Sequence, residues 1–433
     1  MTVLGLFIAS PNLTEIYIYI SNTKRIIPPI PLESVLRRLR AGERQPFVAC
    51  RSGSHGWCNL LAFNPIETFA LRRGDRIEDL YRFVERHRGR FVAGYVGYDL
   101  GYELHGIEKS VPDPFETPLV QFAAYDGYCR FEREATEIHY AEREYPLQVK
   151  RILDRSDAPW PAGQAYKLSV RLREAEYQRN FGRIIDYIKA GDTYQINYAH
   201  QMQGETDLPG RILFAKLLRS NPVGCAAYWE PPEFGIISLS PESFVSIRNR
   251  RIVTCPIKGT QPRGKTPAED RERKRRLLGS RKEQAELYMI TDLLRNDLGK
   301  VSKIGSVRVV YRKRLQKLAN VFHTYAKVES ELADSVSGMK ALVSMFPGGS
   351  VTGCPKKRAM EIIDEVETGS RGIYTGCIGY ILPDRSMEFN IAIRTMVKRG
   401  SRLYLGVGGG ITIESDMKAE FEETLAKAQS FCR

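Results

Sequence analysis

Apolar residues recur along this chain with two different periods. Glu15 to Ile20, Phe91 to Tyr98 and Leu119 to Tyr125 alternate or run apolar over short stretches, the pattern of strands. Leu32 to Leu39 and Ile77 to Val84 repeat apolar positions every three or four residues, as amphipathic helices do. Asp157-Ala-Pro-Trp-Pro-Ala-Gly163 concentrates prolines and glycine and reads as a linker. Beyond it Tyr177, Phe181, Ile184, Ile185 and Ile188 share one helical face, with Gly191 where a C-terminal cap belongs. Pro256 to Gly264 reads as a loop leaving a strand. Thr266-Pro267-Ala268-Glu269 has capping-box spacing with Pro at the first helical position, predicting a long helix that runs past Arg295. Further helices are expected from Pro355, after the Gly-rich Pro347 to Gly353, and over Asp416 to Ser430. Tyr374 to Ile381, Phe389 to Val397 and Arg402 to Val407 read as strands, a pattern that Gly408-Gly409-Gly410 breaks. Strands and helices come in blocks without a steady βαβ rhythm, so the expected fold class is α+β. The division expected is an N-terminal α+β region over residues 1–165 and a second region over 166–433.

Composition narrows the field of functions. Of 433 residues, 42% are hydrophobic and 27% charged, the balance of a soluble globular protein. No run approaches the ~20 apolar residues of a membrane span. Val3 to Ala9 is apolar but lacks a basic lead-in, and Asn12 and Glu15 soon interrupt it, so secretion is not expected and the cytoplasm is. The net charge of +14 raises the question of nucleic acid. The densest basic run, Arg271 to Arg276, includes Glu272 and follows Glu269 and Asp270, which suits a solvated helix face. With no helix-turn-helix, zinc finger or RNP-type motif, the surplus is better matched to anionic small molecules or an acidic partner. Eight cysteines without a C-x-x-C pair exclude the usual zinc-ribbon and thioredoxin-like spacings.

Several residues could carry chemistry. Glu283 with Glu286, and Glu420 with Glu423, are E-x-x-E pairs that each fall on one helix face. Such pairs also occur on solvated helices. If the two helices meet, the carboxylates converge and suit a hard, oxygen-seeking ion, Mg²⁺ best of all. Ser350-Val-Thr-Gly-Cys-Pro355 leads into a helix and offers N–H groups to an anion, but no Walker A sequence is present. Gly408 and Gly410 imply close backbone approach to a ligand or to another segment. Lys258, between Ile257 and Gly259, could lose basicity in an apolar loop and act as a nucleophile, or be an ordinary surface charge. His323 suits a satisfied core position equally well.

These segments together resemble the chorismate-utilising enzymes. The resemblance rests on Gly191-Asp-Thr-Tyr-Gln-Ile-Asn197, Leu239-Ser-Pro-Glu242, Pro256-Ile-Lys-Gly-Thr260 and Asp292-Leu-Leu-Arg-Asn-Asp-Leu-Gly299. It continues through His323, Phe346 to Lys356, Tyr374-Thr-Gly376, Asn390-Ile-Ala-Ile-Arg394 and Gly408 to Lys427, all in the family's order. The resemblance implies two large antiparallel sheets packed as a sandwich, with helices outside and the two regions interwoven. It implies a Mg²⁺ site in which Glu286 and Glu423 are direct ligands and Glu283 and Glu420 act mostly through water. Arg394, Tyr374, Gly408 and Gly410 would bind the enolpyruvyl carboxylate of chorismate, with Ser350, His323 and Lys427 in the same pocket. Glu242 would protonate the departing 4-hydroxyl. Gln195 stands where isochorismate and salicylate synthases carry a lysine base, which implies ammonia rather than water as nucleophile. Lys258 stands where anthranilate synthases typically have alanine, and this version resembles the 4-aminating branch that serves 4-aminobenzoate and folate. There Lys258 would attack C2, ammonia would enter at C4, and the product would be 4-amino-4-deoxychorismate. No amidotransferase cysteine motif appears, so ammonia is expected from a separate glutamine amidotransferase subunit. Pro31-Leu-Glu-Ser34 resembles a tryptophan-binding segment of relatives, in surroundings that match poorly.

Overall fold

The computed structural model describes residues 18–431 apart from 22–23, 41, 54–55, 112, 114–115, 161–165 and 319–320. Val3 to Ala9, the start of the first expected strand, Pro161 to Gly163 of the linker and Cys432 lie outside the described residues. The remainder is α+β, two large antiparallel sheets of thirteen and ten strands with helices against them.

Chain from both halves builds each sheet. Phe47–Gly53 pairs antiparallel with Cys225–Trp229, bringing Phe47 opposite Trp229. Phe91–Val96 likewise pairs with Cys377–Ile381, bringing Val96 opposite Cys377. One core cluster joins residues of both sheets: Phe47 and Trp229 from one, Phe91, Tyr95, Tyr125 and Tyr380 from the other. Burying side chains of this size is worth roughly 1.5–3 kcal/mol each. Their polar tips are satisfied where they end: Trp229 Nε1 donates to Tyr125 Oη at 2.9 Å, and Tyr95 Oη donates to the Pro118 carbonyl at 2.8 Å. Cys50, Cys129, Cys225, Cys255, Cys354 and Cys377 form no disulfide. Among the described residues no helix is long and apolar enough to cross a membrane.

The helix signals hold well. Glu174–Ala190 ends at Gly191, whose φ of +85° is the left-handed cap a glycine permits. Thr266 Oγ1 accepts from Glu269 N at 3.2 Å and starts a helix over Pro267–Gly279. That helix does not run past Arg295. It breaks at Ser280, whose side chain accepts from Glu283 N and starts a second helix, Arg281–Gly299. Ser280-x-x-Glu283 is itself a capping box, so the break was written in the sequence.

Three strand expectations need correction. Pro256 to Gly264 is mainly a strand, Ile257–Pro262, paired with Val321–Glu331 through a bulge between Lys258 and Thr260. Gly259, at φ +77°, supplies that bulge and hides the period of two. Phe389 to Val397 is two strands, Met387–Ile391 and Thr395–Arg399, separated by a turn that holds Arg394 at φ +48°. Gly408-Gly409-Gly410 does not end its strand, which runs Arg402–Ile411 beside Gln195–Glu205. A Cβ at Gly408 would lie 2.6 Å from the Tyr198 carbonyl oxygen, so close approach inside the sheet selects glycine there.

Candidate active site

The E-x-x-E pairs sit on Arg281–Gly299 and on Met417–Ala428, the latter capped by Asp416 accepting from Ala419 N at 2.9 Å. The fold brings all four carboxylates into one field. Burial and then the charge of Glu286 raise the pKa of Glu283, Glu423 adds to the rise, and Lys258 opposes it. For Glu423 burial also works upward, but Lys427, Lys258 and Lys282 outweigh it and hold the group below its usual value. Lys427 Nζ lies 2.7 Å from Glu423 Oε1. Glu420 Oε1 accepts from Ser415 Oγ at 2.7 Å and lies 3.3 Å from Lys282 Nζ. Among the described residues no three of these groups close into a ready-made metal cage. Carboxylates that crowd one another, balanced by lysines, still fit a hard cation completed by water and an anionic ligand.

Lys258 faces this cluster from its bulged strand. Its side chain is 14% exposed, and Nζ lies 3.6 Å from Glu286 Oε2. On the glycine strand beside it, a Cβ added at Gly410 would stand 3.4 Å from Lys258 Nζ and 2.2 Å from Gln195 Nε2. Glycine at 410 therefore makes room for both side chains. Gln195 is buried, and its Oε1 has no hydrogen-bond partner, nor has Asn197 Nδ2 on the same strand. Buried polar atoms are seldom left unpaired, so these mark where a ligand or water completes the bonding.

Glu242 occupies a contrasting environment. It accepts from Ser350 Oγ at 2.9 Å, and burial pushes its pKa up to about 7 against the opposing effects of Ser350, Lys258 and the Ile257 backbone. Such a carboxyl can carry a proton near neutrality and release it to a leaving group. His323 shares a 2.8 Å hydrogen bond between Nδ1 and Thr260 Oγ1. Burial, and then the charge of Arg394, lowers its pKa to about 4, so the imidazole is neutral at pH 7.

At the far end Tyr374 lies over Gly406, where an added Cβ would fall 2.2 Å from the ring. Arg394 is held in the left-handed region, as is Thr375 beside Tyr374 at φ +62°. For a β-branched residue that conformation is costly, and such strain gathers at sites where geometry must be fixed. Lys427 Nζ donates to the Gly408 carbonyl at 2.8 Å. Part of the Ser350 to Pro355 segment is taken up by pairing: Gly353–Cys354 lies antiparallel to Gln195 and Ile196, so it is less open to an anion than its glycines suggest. In the N-terminal region Ser34 Oγ donates to Asp157 at 2.9 Å, which spends its hydroxyl on the chain itself.

Sequence reasoning missed Lys282 and Thr260. Lys282 reads as one more charge on a mixed helix, and only the approach of the second helix gives it Glu420. Thr260 lay inside a quoted motif but has a role only once the strand pairs it with His323.

Residues 45–433 match the chorismate binding enzyme family. An anthranilate synthase component 1 of Haloarcula marismortui is 33% identical, over 94% of this chain and 88% of that protein. An aminodeoxychorismate synthase component 1 of Bacillus subtilis is also 33% identical, over 77% of this chain and 74% of that one. The crystal structure of anthranilate synthase component I from Streptococcus pneumoniae superposes with a TM-score of 0.77 at 28% identity, covering 87% of this chain and 92% of that one.

Proposed function

We propose, from the premise that this chain belongs to the chorismate binding enzyme family, that it aminates chorismate at C4 to give 4-amino-4-deoxychorismate. The observation that carries the reading is Lys258, set between Glu286 and Gly410 with its amine turned into the pocket. The relatives themselves divide between C4 and C2 chemistry, and this lysine favours C4.

The steps balance as two allylic displacements. The Lys258 amine attacks C2 through its lone pair, the two conjugated ring double bonds shift, and the 4-hydroxyl leaves C4 as water with the proton of Glu242. The proton that Lys258 sheds as the C–N bond forms restores the Glu242 carboxyl. Ammonia then attacks C4, both double bonds shift back, and the lysine leaves from C2 with the proton that the incoming amine sheds. The sum is chorismate plus ammonia to product plus water, with the enolpyruvyl group intact. Burial suits Glu242 to its role as acid. His323, being neutral, can orient substrate by hydrogen bonding without adding charge. Arg394 and Tyr374 would hold the enolpyruvyl carboxylate, Gln195 and the Gly408 and Gly410 backbone the ring, and Lys427 the glycine strand. Glu286 and Glu423 would hold Mg²⁺ directly, with Glu283 and Glu420 acting through water. When bound, the ion would neutralise the ring carboxylate against these acids.

The "component 1" names of the relatives support a second, glutamine-hydrolysing subunit as the source of ammonia. The test uses the purified chain with chorismate, Mg²⁺ and ammonium salt. Aminodeoxychorismate, read as 4-aminobenzoate after a lyase is added, is expected. Anthranilate as the main product would move the assignment to anthranilate synthase. Glutamine should replace ammonium only when an amidotransferase subunit is added.

A further inference from the structure

We infer that Arg371, locked to Glu367, is a positioning residue that holds three substrate-facing segments in register. The inference rests on the site reading proposed above. Arg371 and Glu367 lie four residues apart just past the helix that ends at Val366, and their side chains are 3% and 5% exposed. Each N–H of the guanidinium has an acceptor. Nε donates to Glu367 Oε2 at 2.9 Å and Nη2 to Glu367 Oε1 at 2.6 Å, a bidentate fork. Nη1 donates to the Val351 carbonyl at 2.8 Å and to Thr375 Oγ1 at 3.2 Å, and Nη2 also donates to the Asn197 carbonyl. Glu367 Oε1 in turn accepts from Ala199 N at 2.8 Å. The guanidinium carbon lies 4.4 Å from the centre of the Tyr98 ring, which closes its remaining face.

The acceptors are what make this more than a core ion pair. Val351 follows Ser350, whose hydroxyl holds Glu242. Asn197 and Ala199 lie on the strand that opens with Gln195. Thr375 follows Tyr374 and sits at φ +62°, a backbone state that must be held from outside. One planar cation thus ties the proton-donor, ring and carboxylate sides of the pocket to one another, without an atom left to touch substrate. Stability alone does not explain such a pair, because buried ion pairs can often be replaced by apolar residues at little cost to the fold.

The test compares Arg371→Lys with the double variant Arg371→Met/Glu367→Met, which leaves no buried charge unpaired. Chorismate consumption gives kcat and KM below the melting temperature of every variant, and folded protein is measured alongside. In the double variant kcat/KM should fall about 10²-fold, as for a misplacement on the order of 1 Å, with KM raised and kcat lowered together. Arg371→Lys keeps the charge but loses the fork, and should fall between it and the parent. Loss of folded protein alone would lower kcat and leave KM unchanged. That result, or a parent-like kcat/KM in both variants, would overturn the inference. Product identity is read separately, so an anthranilate product would refute the C4 reading without touching this comparison.

Discussion

Arg371 is buried and Arg394 half-buried, only a short stretch of chain apart, yet their surroundings are opposite. Around Arg371 every N–H has a protein acceptor, and Glu367 balances the charge. Around Arg394, among the described residues, the guanidinium makes a single 3.5 Å contact, to Ser430 Oγ, and burial lowers its pKa. The adjoining floor repeats the theme, with Gln195 Oε1 and Asn197 Nδ2 unpartnered and carboxylates crowded together. A saturated network builds a frame, whereas an unsaturated one leaves its bonding capacity for a ligand. Under the proposed reading, the unpaired groups that lie beside the crowded carboxylates are the ones a ligand would complete.

That contrast can be broken by removing groups from the unsaturated side. The largest effect is expected for Glu286→Gln and Glu423→Gln, each lowering kcat/KM by about 10³-fold while melting temperature holds, because the carboxylates serve ligand rather than core. EDTA should abolish the parent's activity. An active Gln variant, or a parent indifferent to chelation, would remove magnesium from the account.

Glu242 tests the same idea through stability. Its folded pKa, about 7, lies above the ordinary 4.5, so the folded state binds its proton more tightly. The stability this gives is fully present below pH ~4.5 and is lost as pH rises through about 7, a difference of about 3 kcal/mol. Glu242→Gln cannot ionise. It should therefore be the more stable protein at pH 8 by about that amount and match the parent near pH 4.5, while losing activity. Denaturant melts at the two pH values check this. Lys258→Ala should cut C4 amination by about 10²-fold, as loss of a covalent route does, measured as aminodeoxychorismate formed from ammonium. Ser280→Ala removes one helix cap and should cost only about 1 kcal/mol in thermal or denaturant unfolding.

How much of this was legible beforehand follows from the range of each signal. Caps and faces are local, so the helices starting at Pro267, Lys356 and Met417 and the Gly191 terminus could be read directly. Strands containing glycine could not. The Gly408 to Gly410 segment and the bulge at Gly259 owe their conformation to partners far away in the chain, and no local period reports those. Motifs singled out Lys258, Glu242, Arg394 and the four acidic residues, whereas Lys282 and Thr260 needed the packed helices and paired strands. The Arg371–Glu367 pair has ordinary helical spacing and declares itself only through the carbonyls it reaches.

The covalent role of Lys258 is the account's central claim, and trapping tests it most directly. Enzyme mixed with chorismate and Mg²⁺ in the absence of ammonia, quenched and digested, should yield a mass-shifted peptide containing Lys258, and Lys258→Ala should yield none. An unmodified peptide, together with a Lys258→Ala enzyme that makes aminodeoxychorismate at the parent rate, would contradict it.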